Sequence, residues 1–175
     1  GGSFYVWISQ IGVILIALAL GYATGGALAD RFQRAQFLAG PLAVAGLFSM
    51  LIPNFTPGLV RAIVMRHPLD RDIPLFWQKL DPVLGSTLVF FLPCFLLAII
   101  SPYTIRLAAR RIETVGTISG LVYAASTVGS IAGVFVSGYV LIDYPLSAVF
   151  RATGGLILAL AGLSLVMDRW LQRLL

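Results

Sequence analysis

The sequence predicts an all-α membrane protein, a polytopic bundle of five transmembrane helices that forms a single domain over 1–175. The composition of the chain and the spacing of its charges predict this fold. Apolar residues make up 59% of the chain and charged residues 11%, against roughly 45–50% and about 25% in soluble domains. So few charges cannot cover the surface of a soluble domain of this size. The composition therefore excludes a soluble enzyme, a disordered tail and a nucleic-acid module.

Charge-free runs locate the helices, because a bilayer core about 30 Å thick needs roughly 20 apolar residues in a helix. The first run ends at Ala29, and the longest is Thr114–Ile142. The last run, Ala152–Met167, is short, but it extends back to Leu146 if Arg151 snorkels to the interface. The predicted spans are 4–24, 37–52, 84–100, 114–142 and 146–167.

Prolines predict where the helices end or bend. Pro53-Asn54 and Pro57-Gly58 are typical helix breakers, so the second helix is expected to end at Ile52. Pro93 is expected to kink the third helix, because proline removes one helical hydrogen bond. The long connection 61–81 contains Ile73–Trp77, which predicts a short amphipathic segment in the membrane interface.

The basic residues predict the orientation. One side of the membrane would carry Arg31, Arg34, Arg106, Arg110, Arg111, Arg169 and Arg173, and the other Arg61, Arg66, Arg71, Lys79 and Arg151. Short loops weigh most, so the first side is predicted to be cytoplasmic and the N-terminus external. We expect an integral protein of a bacterial inner (plasma) membrane. The net charge of +5 then reflects topology, and nucleic acid is not an expected partner.

The sequence predicts no catalytic, cofactor-binding or metal-binding residues. Cys94 is the only cysteine and His67 the only histidine, whereas metal sites need several such ligands. Asp70 and Asp72 could form a carboxylate pair, but a solvated loop is favoured. The polar residues predicted at depth are Ser9–Gln10. No charged residue falls near the centre of a span, which argues against a proton-coupled pump.

The fourth span carries a stripe of small residues. At 100° per residue, one side of the helix holds Ser119, Ser126, Gly129, Ser130, Gly133 and Ser137, and the other holds Leu121, Val128, Phe135 and Tyr139. Small residues let helix backbones approach closely, and serine can bond across the contact. The stripe therefore predicts a packing seam, either with another subunit or within the chain's own bundle.

Three stretches resemble a known family. The first, Gly21–Arg31, resembles the cytoplasmic Gly-x-x-x-Asp-Arg loop of the major facilitator superfamily, and it is matched by Gly26, Asp30, Arg31 and Arg34. The second is Ser101–Leu107, with Ser101, Pro102 and Arg106. The third is Gly120–Gly133, followed by Leu141–Ile142. In this order they resemble the membrane domain of fused major facilitator/spermidine-synthase-like proteins.

The resemblance implies half of a major-facilitator-type fold and a polyamine-related role, as anchor or transport-like half for a soluble aminopropyltransferase-like domain. Relatives carry one more span before these stretches and often that domain after them, and neither lies in this chain, so we expect no catalysis and no cofactor. Arg31 and Arg34 are expected to contact lipid head groups or cap helices, with a gating latch as the alternative. The alternative function is a non-catalytic accessory subunit that packs against a larger, energy-transducing membrane complex. The expected partners are the lipid bilayer and either other membrane subunits or the soluble domain.

Overall fold

The protein is a bundle of long helices in a computed structural model that describes residues 2–67, 73–109 and 112–174, with side chains described for 4–67, 73–109 and 113–170. Every regular element in these ranges is helical. The α-helices are α1 (Gly2–Arg31), α2 (Ala39–Met65), α3 (Leu75–Ser86), α4 (Leu92–Ala98), α5 (Ile100–Ala108), α6 (Val115–Tyr139) and α7 (Leu146–Leu174).

The prediction of five helices able to cross a membrane is confirmed for the described part of the chain. By length and apolar composition, five stretches qualify, namely Phe4–Arg31, Ala35–Met65, Leu75–Ala108, Val115–Asp143 and Leu146–Trp170. Each begins or ends beyond the range predicted from charge-free runs. The charged ends of these helices therefore continue in helical form beyond their apolar segments.

The expected end of the second helix at Ile52 is wrong. The helix α2 continues to Met65 with Pro53 and Pro57 inside it, and the hydroxyl of Thr56 donates to the carbonyl oxygen of Ile52 at 2.6 Å. Breaking an apolar helix would leave backbone groups unpaired in lipid, whereas a proline removes only one bond. Proline is therefore a weaker helix breaker here than in water.

The third predicted span is a composite of α3, α4 and α5. A π-helical turn, Thr87–Phe91, precedes α4, so the irregularity expected from Pro93 lies on its N-terminal side, where the missing N–H frees a carbonyl. The segment Ile73–Trp77, predicted to lie in the membrane interface, leads directly into α3, which begins at Leu75. Pro74 starts that helix, and its carbonyl oxygen accepts from the N–H of Trp77 at 2.9 Å.

Glycines set the closest helix contacts. A Cβ added to Gly46 on α2 would lie 2.8 Å from the carbonyl oxygen of Gly154 on α7. A Cβ added to Gly25 on α1 would lie 2.6 Å from the carbonyl oxygen of Ile99. Such distances exclude any side chain there without movement of backbone. The core beside these crossings is small and apolar, and it consists of Ala29, Leu38, Leu42, Ala45, Tyr103, Ile157 and Ala161.

The helix α6 stands apart from this core. It meets the rest of the described chain mainly through α5 and the short 3-10 turns at its two ends. None of its described residues is buried, whereas the other four apolar stretches have 17–28% of their most apolar segment buried. The other helices therefore form the packed bundle, and α6 is a long apolar helix outside it.

Candidate functional site

An ion pair closes one end of the bundle. The Nε of Arg106 on α5 donates to Oδ1 of Asp30 at the end of α1, at 2.8 Å. Both side chains are well exposed, so the pair orients the two helices more than it stabilises them. It brings together the first and second of the three stretches described above. We call this end of the molecule the Asp30 end.

A buried tyrosine completes the Asp30 end. Tyr103, only 2% exposed, has its hydroxyl within hydrogen-bond distance of two carbonyl oxygens, those of Arg34, at 2.9 Å, and of Phe32, which share its single proton. These carbonyls belong to the turn between α1 and the 3-10 turn Ala35–Leu38. Tyr103 lies one helical turn before Arg106, so both side chains reach the same turn from α5. Sequence reasoning missed Tyr103, although it lies within the second stretch.

The other residues of the first two stretches have separate surroundings. Arg31 lies over the ring of Phe32 at 5.5 Å, whereas Arg34 contributes its backbone carbonyl. A Cβ on Gly26 would meet nothing within 4 Å of described structure, so the close approach is made by its neighbour Gly25. Pro102 lies against Gly25, because a Cβ added to Gly25 would come 2.8 Å from Cγ of Pro102.

The half-buried residues Ser101 and Pro102 lie on α5, one turn from the Asp30–Arg106 pair. They precede Tyr103 directly in the chain. The second stretch thus packs against α1 through Pro102. Through Tyr103 and Arg106 it also bonds to the end of α1 and to the turn that follows it.

A second polar cluster lies at the opposite end, which we call the Asp81 end. Asp81 on α3 accepts from the guanidinium of Arg66 and pairs with Nε2 of His67 at 2.6 Å. The guanidinium of Arg66 also lies 4.4 Å from the ring of Trp77. Arg66 and His67 follow the end of α2, and Trp77 lies in the first turn of α3, so the cluster ties these two helix ends together.

Sequence reasoning did not find this cluster. It considered His67 only as a metal ligand, which it rejected, and a carboxylate pair at Asp70 and Asp72. These two residues lie outside the described residues, as do Arg71, Arg110 and Arg111. Among the described residues, no group of three His, Cys, Asp or Glu side chains could hold a metal ion. His67 instead pairs with one carboxylate across 14 positions of sequence.

Two apolar clefts open in the half of the bundle nearest the Asp81 end. One, of about 360 Å³, lies between α1, α2 and α3, and Gln10 and Asp81 are among its lining residues. The other, of about 460 Å³, lies between α2, the π-helical turn and the start of α7. Gln10 therefore borders a cleft, whereas Ser9 is buried within the bundle.

The middle of the stripe on α6 has no neighbour in the described chain. A Cβ added at Gly129 or Gly133 would meet nothing within 4 Å. The hydroxyl of Ser130 donates to the carbonyl oxygen of Ser126 in its own helix, at 2.9 Å. The stripe consists of Ser119, Ser126, Gly129, Ser130, Gly133 and Ser137; Ser119 is half-buried near α5, and Ser137 borders a shallow hollow towards α7.

The packing seam, with another subunit or within the chain's own bundle, therefore stays a prediction, although Gly129 and Gly133 have no neighbour in the described chain. The opposite side of α6 is exposed as well, and Val128 is 65% exposed. Around the middle of the helix, the stripe thus carries small residues and the opposite side large ones. Comparison of the chain with family models, with curated proteins and with solved structures finds no match.

Proposed function

We propose that the chain is a membrane module without catalysis of its own that assembles with another subunit through α6. The observation that carries this proposal is the exposure of α6, a helix of 25 residues with none of them buried. The occupant that we propose for its stripe is a transmembrane helix of a partner subunit. This is the accessory-subunit function, in which the bundle positions α6 for assembly.

The chemistry of the stripe supports a helix as its occupant. Lipid tails gain little by filling a furrow of glycine and serine, whereas a second helix gains close backbone packing there. The bundle itself uses glycine in this way where α2 crosses α7 at Gly46 and Gly154. Gly129 and Gly133 have the four-residue spacing of a close helix crossing. On α6, by contrast, the two glycines have no neighbouring helix in the described chain.

The contacts at the Asp30 end favour a second candidate function. The pair Asp30–Arg106 and the hydroxyl of Tyr103 join two of the stretches that resemble the major facilitator/spermidine-synthase-like membrane domain. These contacts give both stretches one structural role, which is to join α5 to the end of α1, and this supports the proposal of a facilitator-like half. In that function the Asp30 end is cytoplasmic, and the module anchors an aminopropyltransferase-like domain or serves as its transport-like half.

The two candidate functions differ in what accompanies the chain. The facilitator-like function requires a longer native protein, with a further span and a soluble domain, so the intact mass of the native protein distinguishes them. In either case we expect no aminopropyl transfer by this chain, because no glycine-rich turn after a strand is present in its described residues to hold a nucleoside donor.

Site-specific photo-cross-linking in native membranes tests the proposal. A photoreactive phenylalanine analogue replaces the aromatic residue Tyr123, at the edge of the stripe, in one variant and Leu121, on the opposite side of α6, in the matched control. We expect a covalent adduct with one defined membrane protein from position 123 and little or none from position 121. Lipid adducts alone at both positions would reject the proposal.

A further inference from the structure

The cleft between α1, α2 and α3 is almost entirely apolar along its depth. Its volume is about 360 Å³, and Val60, Val89 and Phe90 form part of its wall. The hydroxyl of Thr56, which also lines it, already donates to the carbonyl oxygen of Ile52. The depth of this cleft therefore suits a hydrocarbon chain better than a polar ligand.

The mouth of the same cleft is polar and basic. Asp81 lines it, and this carboxylate is matched by the guanidinium of Arg66. Lys79, on the same helix as Asp81, adds a positive charge beside the cleft without lining it, because its amino group lies 5.7 Å from the ring of Tyr5, the chain neighbour of the lining residue Val6. Trp77, half-buried beside Arg66, has the amphipathic character typical of residues at the head-group level. The described charges at the mouth therefore sum to a positive value even when His67 is neutral.

We infer that this cleft binds one molecule of an anionic phospholipid. One acyl chain lies in the cleft between the three helices, and the phosphate lies at Lys79 and the exposed edge of Arg66. Arg66 is 35% exposed, and a guanidinium has five N–H donors, so it can contact Asp81 and a phosphate together. A net negative head group complements this mouth, whereas a zwitterionic one brings its own cation towards Lys79.

The second cleft provides an internal comparison. It shares Thr56, Val60, Val89 and Phe90 with the first and is larger, at about 460 Å³. None of the described residues that line it is charged. It can accept hydrocarbon, but it lacks the basic mouth that selects a head group. The inference therefore rests on the combination of apolar depth and basic mouth, and it does not depend on α6.

The test is a lipid titration of the purified full chain in detergent, followed by native mass spectrometry. The probes are phosphatidylglycerol, phosphatidylcholine with the same acyl chains, and sn-glycerol 3-phosphate, which has the phosphate without the chains. We expect saturable binding of one phosphatidylglycerol, at least several-fold weaker binding of phosphatidylcholine, and no binding of glycerol phosphate in the same range. This comparison uses the unaltered protein and needs no variant to fold.

Two pairs of variants locate the site. Lys79→Gln should weaken phosphatidylglycerol binding about fivefold, and Arg169→Gln, which removes an exposed cation near the other end of the bundle, should not change it. Gly85→Leu should fill the cleft, because a side chain at Gly85 points to Ile63 in the same wall, with its Cβ 3.7 Å from Cδ1. Gly12→Leu, on an open face of α1, is its control.

Equal affinity for the two phospholipids, or unchanged binding by Lys79→Gln, would overturn the head-group assignment. Binding of glycerol phosphate as tight as that of the lipid, or full binding by a folded Gly85→Leu variant, would overturn the assignment of the acyl chain to this cleft. If the number of bound molecules rises without saturation for both lipids, the binding is non-specific, and this would overturn the inference of a single phospholipid site.

Discussion

The Nε of Arg106 donates a hydrogen bond to Oδ1 of Asp30 over 2.8 Å and so joins α5 to the end of α1 across 76 positions of sequence. The pair is exposed, whereas the hydroxyl of Tyr103, one turn earlier, meets the carbonyl oxygens of Phe32 and Arg34 inside the same junction. One buried and one exposed contact therefore hold the same junction. The buried hydrogen bond of Tyr103 should contribute more to the free energy of unfolding than the exposed ion pair.

Removal of the tyrosine hydroxyl should destabilise the bundle more than removal of the ion pair. Tyr103→Phe removes the one O–H donor that the two carbonyl oxygens share, and we expect the free energy of unfolding to fall by about 1–3 kcal/mol. Asp30→Asn removes only an exposed pair, which is worth about 0–1 kcal/mol. Thermal unfolding in detergent, followed by circular dichroism, should give the lower Tm for Tyr103→Phe. A larger loss in Asp30→Asn would contradict this order.

The glycine crossing between α2 and α7 should not tolerate a methyl group. In Gly46→Ala the new Cβ would lie 2.8 Å from the carbonyl oxygen of Gly154, so the helices must separate, at a cost of about 1–3 kcal/mol. Gly40→Ala on the same helix is the matched control, because a Cβ there meets nothing within 4 Å. The measurement is again Tm in detergent. Equal Tm values for the two variants would show that the crossing is not as close as described.

The stability of the isolated chain should not depend on the glycines of α6. Gly133→Leu adds a side chain where the described structure has open space, so Tm in detergent should match that of the parent. Val128→Leu, about 140° away on the helix, should behave in the same way. A lower Tm for Gly133→Leu alone, with no partner present, would mean that α6 packs within its own bundle after all.

The orientation can be read by labelling from outside. On a Cys94→Ala background, cysteine at Gln78 near the Asp81 end should react with a membrane-impermeant maleimide in intact cells. Cysteine at Gln33, in the turn at the Asp30 end, should react only after the membrane is permeabilised. Both residues are exposed, so access depends on the side of the membrane. The reverse pattern would refute the orientation predicted from the arginine bias.

Much of the helical architecture could be predicted from the sequence, because charges are costly in lipid and their absence marks each span. The end of α2 could not, because Pro53 and Pro57 break helices in water but stay inside one here. The contacts of Tyr103 with Phe32 and of His67 with Asp81 depend on tertiary packing, and no local pattern encodes them. The stripe on α6 was visible as a periodicity, but a periodicity cannot show whether its neighbour belongs to the same chain.

Assembly through α6 is tested by purifying tagged Gly133→Leu and Val128→Leu variants from native membranes, beside the unaltered chain. A leucine at a glycine crossing should cost about 1–3 kcal/mol of helix contact. We expect the partner subunit that co-purifies with the unaltered chain to co-purify with Val128→Leu and to be lost from Gly133→Leu, while all three proteins remain inserted and equally stable. Retention of the same partner by Gly133→Leu, or no stoichiometric partner for the unaltered chain, would contradict the assignment of α6 as the assembly surface.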